Sequence, residues 1–121
     1  MKILCSPPIW PFIDALEPKL RRKLISQLFL LATTPGLGEP HVKHFTISKY
    51  SNLFELRTRS KIMVRIIFTF CQNGDILLLE PFVKRHKRNT MQALDSSLRL
   101  LQQLDTGNLS LREFAIQENW R

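Results

Sequence analysis

The chain has 121 residues, 44% of them hydrophobic, and a net charge of +8. This length and composition exclude a disordered chain and predict one domain, residues 1–121, built around one core. Its apolar runs are far shorter than the roughly 20 residues of a membrane span. The N-terminus, broken by prolines, is unlike a signal peptide, so we expect a cytoplasmic protein without a membrane partner.

The first third of the chain predicts an edge strand and two helices. Residues 2–5 are strand-like, and the prolines that follow would end that strand. A short helix is expected over residues 11–16. A second, amphipathic helix is expected over residues 19–33, because leucines recur on one helical face. These are Leu20, Leu24, Leu28 and Leu31.

Three cations, Arg21, Arg22 and Lys23, lie in the first turn of this second helix. The helix dipole favours anions there, so the cations are slightly unfavourable for the isolated helix. Two interpretations remain open: side chains that are simply solvated, or a second contact for phosphate or an acidic partner.

The middle of the chain predicts an antiparallel meander. Residues 41–47 suggest a short strand, and alternation over residues 53–59 and 61–70 predicts two longer ones. Asn73-Gly74 predicts a hairpin turn, and residues 76–79 are apolar throughout, as in an interior strand. We expect helices on one face of this sheet. Its other face would carry four cations, Arg57, Arg59, Lys61 and Arg65.

Pro81 is expected to end the meander, and a basic segment and a long helix follow it. Asn89 or Thr90 would cap the helix, and Thr106-Gly107 would end it. Its apolar stripe is Met91, Leu94, Leu98, Leu101 and Leu104. Residues 108–121 leave two alternatives, a short helix or a frayed tail. The fold class is therefore α+β, with N-terminal helices packed on a small curved antiparallel sheet and a helix after it.

Positive charge is concentrated in residues 41–88, where ten Lys or Arg face three acidic residues, a net +7. Such a concentration favours an anionic partner, most often nucleic acid, although a generally basic protein is the alternative. Cys5 and Cys71 lie outside any CxxC or His-rich stretch, so we expect no metal site and no disulfide framework. No P-loop, HExxH or GxSxG is present, and no cofactor is expected.

Four segments, in order and at suitable spacings, resemble one known family. They are Leu53-Phe54-Glu55-Leu56-Arg57, Val64-Arg65-Ile66-Ile67-Phe68, Ile76-Leu77-Leu78-Leu79 and Phe82-Val83-Lys84-Arg85. This series is similar to the pattern "lyELR … yRvlf … ivLL … FvKK" of the HigB-like, phage-derived branch of the RelE/ParE toxin superfamily. The resemblance covers residues 18–105. Val64 and Arg85 depart from the pattern, because relatives often carry an aromatic residue and a lysine there.

The resemblance implies a compact RelE-like fold and a toxin of a type II toxin–antitoxin module. Its partners would be a cognate antitoxin, of helix-turn-helix type, and the ribosome with its mRNA. The implied activity is cleavage of mRNA by attack of the 2′-OH on the scissile phosphate, without a metal. Two alternatives stay open: a ParE-like inhibitor of DNA gyrase, and a degenerate or non-catalytic RNA-binding module.

Candidate catalytic residues follow from the chemistry of this cleavage. Arg57 and Arg65 would stabilise charge on phosphate, or only position it, or form a structural ion pair with Glu55. Glu55 is either the general base or the partner that orients Arg57. His86 would serve as acid or base, or be a solvated loop residue. Some RNA-cleaving relatives use a catalytic tyrosine, and the chain has only Tyr50. Candidate RNA-binding residues are Arg59, Lys61, Lys84, Arg85, Lys87 and Arg88.

Overall fold

A computed structural model describes residues 1–115 of the chain. The helices within this part are α1 (Ile9–Asp14), α2 (Pro18–Thr33) and α3 (Lys87–Asp105), with a 3-10 turn over Ser48–Tyr50. The strands are β1 (Ile3–Cys5), β2 (Val42–His44), β3 (Phe54–Arg59), β4 (Met63–Phe70), β5 (Ile76–Val83) and β6 (Arg112–Glu113). No helix in residues 1–115 has the length and apolar character needed to cross a membrane.

The six strands form one open sheet in the order β2-β3-β4-β5-β1-β6. Neighbouring strands run antiparallel except for β1 and β5, which are parallel. The predicted α+β class is therefore confirmed, with a mostly antiparallel sheet. The antiparallel meander predicted from residues 53–79 corresponds to β3, β4 and β5.

β1 is an interior strand, which corrects the prediction of an edge strand. It pairs with β5 on one side and with β6 on the other, where Leu4 is opposite Glu113. The prediction of a helix or a frayed tail is therefore wrong at Arg112–Glu113, which form β6. Residues 116–121, the rest of that tail, lie outside the described part of the chain.

Helices cover both faces of the sheet. α1 and α2 bury one face, where Leu24 and Leu28 pack against Val64, Ile66 and Phe68. α3 packs on the opposite face, where Ala93 and Leu94 meet apolar residues of β4 and β5. The prediction of an open basic face is thus wrong over β4 and β5, which α3 covers. Met91 is the one residue of the predicted α3 stripe that is exposed, at 45%.

β5 is longer than predicted, because Pro81 lies inside the strand opposite Ile66 of β4. A proline is tolerated at a strand position that has a neighbour on only one side. β1 pairs with β5 only over Ile76–Leu78, so the part of β5 around Pro81 has β4 alone beside it. The predicted hairpin before β5 is confirmed, and Gly74 adopts φ 89° in its turn.

Candidate functional site

β3 and β4 bring Arg57 and Arg65 together. Directly opposed residues of an antiparallel pair lie on the same face of a sheet, and so do alternate residues of one strand. Arg57 is the partner of Arg65, and Glu55 is the partner of Ile67. Because Ile67 packs in the α3 layer, all of these side chains lie on the α3 face.

The Glu55 carboxylate is shared by the two arginines. Its Oε1 atom lies 3.0 Å from Nε of Arg57 and 3.7 Å from Nε of Arg65. The side chain of Glu55 is 1% exposed and that of Arg65 is 4% exposed, whereas that of Arg57 is 16% exposed. Two guanidinium groups and one carboxylate leave a net charge of +1. This arginine cluster therefore presents its charge at the surface through Arg57.

Arg65 is held beneath the surface by its own strand. It donates a hydrogen bond to the Val64 carbonyl at 3.1 Å and lies 3.8 Å from the Met63 sulphur. Burial lowers the pKa of Arg65, the Glu55 carboxylate opposes that shift, and Arg57 and Arg59 reinforce it. This burial suits Arg65 to a role in holding Glu55, and through it Arg57, better than to direct contact with a phosphate.

Glu55 is committed to the same cluster. Its second oxygen, Oε2, is buried and has no hydrogen-bond partner among residues 1–115. A carboxylate enclosed between two guanidinium groups is poorly placed to take a proton from a substrate. Of the two interpretations left open by the sequence, the ion pair that orients Arg57 is the one that this geometry favours.

Further cations follow at the end of β3, in the β3–β4 turn and just after β5. Arg59 is opposite Met63, and the Met63 carbonyl accepts a hydrogen bond from the Lys84 backbone N–H at 2.8 Å. Met63 of β4 therefore lies between Arg59 of β3 on one side and Lys84, just after β5, on the other. The basic end of the sheet is defined here as the set Arg57, Arg59, Lys61, Lys84, Arg85, Lys87 and Arg88. It contains all the residues predicted from sequence to bind RNA.

His86 is the N-cap residue of α3, so the predicted cap at Asn89 or Thr90 is one turn too late. The Asn89 side-chain oxygen accepts hydrogen bonds from the backbone N–H groups of Arg85 and His86, at 2.9 and 2.8 Å. These bonds fix the start of the helix. The His86 side chain is exposed, and among the described residues it forms no hydrogen bond or ion pair with Glu55, Arg57 or Arg65.

Three residues beside Arg57 were not among the predicted site residues. The His41 carbonyl accepts a hydrogen bond from the Arg57 backbone N–H at 2.8 Å, which places His41 alongside β3. Lys23 Nζ donates to the Arg59 carbonyl, and Gln27 accepts from the Thr58 hydroxyl. The unfavourable cations at the start of α2 were the sequence signal for Lys23. No comparable signal in the sequence marks His41.

Tyr50 packs on the side of the sheet that α3 covers. Its hydroxyl donates a 2.5 Å hydrogen bond to Asp95 of α3, and its side chain is buried. That hydrogen bond is the main reason why the pKa of Tyr50 is raised. The single tyrosine is thus engaged in a structural contact between the Ser48–Tyr50 turn and α3.

No three His, Cys, Asp or Glu side chains in residues 1–115 are grouped so that they could hold a metal ion. Cys5 is buried and Cys71 is half-buried, and both are free thiols.

Comparison with known proteins places these features in one family. The family model of phage-derived Gp49-like proteins (DUF891) matches residues 11–102. The match runs from α1 through most of α3 and includes the arginine cluster and the basic end of the sheet. No curated protein is significantly similar to the chain. Because the family model covers well over half of its length, the chain belongs to the family of phage-derived Gp49-like proteins.

Proposed function

We propose that this protein is the toxin of a type II toxin–antitoxin module and cleaves mRNA on the ribosome. Membership of the Gp49-like family supports a toxin of the RelE/ParE-like kind. The sequence resemblance to the HigB-like branch favours RNA cleavage over inhibition of gyrase. The proposed partners are a cognate antitoxin of helix-turn-helix type and the ribosome with its mRNA, in the cytoplasm.

The observation that carries this proposal is the arrangement of Arg57. Its guanidinium is held by a buried carboxylate and is partly exposed, and the other cations of the basic end of the sheet lie at the end of β3, in the β3–β4 turn and just after β5. An arginine fixed in this way has little side-chain entropy left to lose when it contacts phosphate oxygens. The neighbouring cations would grip the phosphates on either side and set the register of the strand.

The reaction proposed for this site is an internal transesterification. The 2′-OH loses its proton as its oxygen forms a bond to the adjacent phosphorus. The bond from phosphorus to the 5′-oxygen breaks, and that oxygen gains a proton. The products are a 2′,3′-cyclic phosphate and a 5′-hydroxyl. Arg57 stabilises the charge that builds up on the non-bridging oxygens, a contribution worth about 3–4 kcal/mol for a preorganised donor.

Induced expression in a bacterial host tests the proposal. Growth would be followed together with the incorporation of labelled amino acids and labelled thymidine. We expect protein synthesis to stop promptly while DNA synthesis continues, and mRNA from these cells to carry new 5′-hydroxyl ends. Early arrest of DNA synthesis would instead indicate a gyrase inhibitor. Normal growth with folded protein present would refute an active toxin and leave a degenerate toxin or a passive RNA binder.

A matched pair of variants ties the activity to the site. Arg57→Ala removes the proposed charge-stabilising group and should abolish the arrest of translation. Arg99→Ala removes the same charge from an exposed position on α3, about 18 Å along the helix from Lys87. It should retain the arrest. Equal loss of activity in both variants would show that net charge, and not Arg57, is what matters.

A further inference from the structure

A small cavity lies beside the outer edge of β3, next to the arginine cluster. Its volume is about 290 Å³. We name it the β3 notch, and its lining residues are Lys23, Gln27, Pro40, His41, Arg57 and Arg59. None of these six is an aspartate or a glutamate. Lys23, Gln27 and His41 have no part in the function proposed above.

The notch exists because β2 stops short of the end of β3. β2 pairs with β3 only over Phe54–Leu56, so the end of β3 has no strand on that side. α2 forms one wall of the notch through two hydrogen bonds to β3. Lys23 donates to the Arg59 carbonyl, and Gln27 accepts from the Thr58 hydroxyl. The bond from Arg57 to the His41 carbonyl closes the notch from the side. Three hydrogen bonds therefore fix its walls.

Most of the polar side chains that line the notch are hydrogen-bond donors. Lys23, Arg57 and Arg59 can only donate. The Gln27 carboxamide oxygen already accepts from Thr58, which leaves its amide nitrogen, also a donor, to meet a ligand. The three cations give a charge of +3, and the Glu55 carboxylate bound to Arg57 reduces it to +2. This chemistry matches an oxyanion with several acceptor oxygens.

We propose that the β3 notch binds one backbone phosphate of the RNA, adjacent to the phosphate that Arg57 contacts in the cleavage reaction. The inference rests on the proposed function and extends it by naming Lys23, Gln27 and His41 as substrate-positioning residues. The cavity volume is at the lower end of the roughly 300–1,000 Å³ typical of small-molecule sites. It therefore fits a phosphate with its sugar better than a complete nucleotide.

The substitution Gln27→Glu tests the notch with little change in shape. Glutamate keeps an oxygen to accept from Thr58, but it replaces the amide donor by a negative charge. Binding of the purified full-length chain to a fluorescent single-stranded RNA would be measured without ribosomes, over a range of salt concentrations. We expect affinity to fall roughly tenfold or more, as for the loss of a charge-assisted contact. The slope of log affinity against log salt should fall by about 0.7, the value for one phosphate on a single strand.

Gln102→Glu is the matched control, because it makes the same charge change at an exposed position near the C-terminal end of α3, away from the notch on α2 and β3. It should leave both affinity and salt slope close to those of the unaltered chain. Equal weakening by the two variants would overturn the notch proposal. A single-stranded DNA of the same sequence should lose affinity with Gln27→Glu too, because the phosphate is common to both.

A second measurement uses the unaltered chain and does not depend on the folding of a variant. Titration of the ¹⁵N-labelled protein with inorganic phosphate should shift the side-chain amide signals of Gln27 before those of Gln102. Absence of any shift at Gln27 would overturn the proposal. Both tests are independent of the toxin assay. Arrest of translation without phosphate binding at the notch would refute only the proposed phosphate site. Phosphate binding at the notch without arrest of translation would refute only the proposed toxin activity.

Discussion

Arg57 and Arg65 are partners across β3 and β4, yet only Arg57 reaches the surface. Both guanidinium groups contact the same oxygen of Glu55, at 3.0 and 3.7 Å. α3 packs on this face of the sheet over β4 and β5, and β4 carries Arg65 while β3 carries Arg57. The position of the helix thus explains why one arginine is buried and the other is available to a ligand.

The first prediction concerns Arg57, the partly exposed arginine. Arg57→Ala should lower the rate of RNA cleavage by about 10²–10³-fold, the usual cost of losing one preorganised donor at a developing negative charge. Arg57→Lys should recover only part of the rate, because an ammonium lacks the planar fork that matches two phosphate oxygens. Single-turnover cleavage of ribosome-bound mRNA measures both rates. Full activity of Arg57→Ala would remove Arg57 from the mechanism.

The second prediction concerns the buried arginine, whose loss should act on stability. Arg65→Ala leaves the buried Glu55 with a single partner, and breaking a buried ion pair costs roughly 3–5 kcal/mol. The free energy of unfolding in urea measures this loss. The double variant Glu55→Gln with Arg65→Met removes both charges and should recover much of it. If Arg65→Ala unfolds like the unaltered chain, the shared carboxylate contributes nothing to stability.

Local sequence patterns predicted much of the sheet and of the long helices. Alternation placed β3 and β4, Asn73-Gly74 placed the hairpin, and the spacing of leucines placed α2. The missed features depend on contacts between segments that are distant in sequence. β1 becomes an interior strand only because residues 112–113 pair with it, and no local pattern encodes that pairing.

The candidate site also divides into parts that local sequence reveals and parts that depend on packing between distant segments. The basic segment 84–88 and the arginines of β3 and β4 are visible as charges in the sequence. The burial of Arg65 is not visible in the sequence, because it depends on where α3 packs. The position of His41 depends on the register of β2 against β3. A strand as short as β2, with three residues, does not specify that register by its sequence pattern.

The third prediction is that the only tyrosine supports stability and not catalysis. Tyr50→Phe removes the hydroxyl that donates to Asp95 and should lower the melting temperature. The rate of RNA cleavage measured below that temperature should stay unchanged. Asp95→Asn provides the reciprocal test, because it weakens the same hydrogen bond from the other side and also the 3.5 Å ion pair with Lys49. A large loss of cleavage by Tyr50→Phe at full folding would assign the tyrosine a catalytic role.

The fourth prediction is a pH dependence of stability caused by Glu80 of β5. Burial raises the pKa of this carboxyl, and Arg99 only partly opposes the shift. The folded state therefore binds the proton more tightly than the unfolded state does. The stabilisation of the folded state by this tighter proton binding is complete below the ordinary carboxyl pKa. It is lost as the pH rises through the raised pKa of Glu80. Glu80→Gln should then be more stable than the unaltered chain at pH 7.

Thermal unfolding of the two proteins over a range of pH values measures that difference. It should shrink as the pH falls towards the ordinary pKa of a carboxyl group, because Glu80 is then protonated in both states. Glu113→Gln, at an exposed position of β6, is the control and should show no such trend. A stability gain that is independent of pH would mean that shape, and not ionisation, distinguishes glutamate from glutamine at this position.

The fifth prediction is that the two cysteines differ in their reactivity. Burial raises the pKa of the Cys5 thiol to about 12, so the reactive thiolate form of Cys5 is scarce at pH 7. Burial and Asp75 also raise the pKa of Cys71, but this thiol lies half-buried just after β4. Iodoacetamide should therefore modify Cys71 first in the folded protein and reach Cys5 only in denaturant. Mass spectrometry of peptides after timed quenching gives both rates. Equal rates under native conditions would mean that the core around Cys5 opens readily, since burial in that core is what keeps the reagent from the thiol.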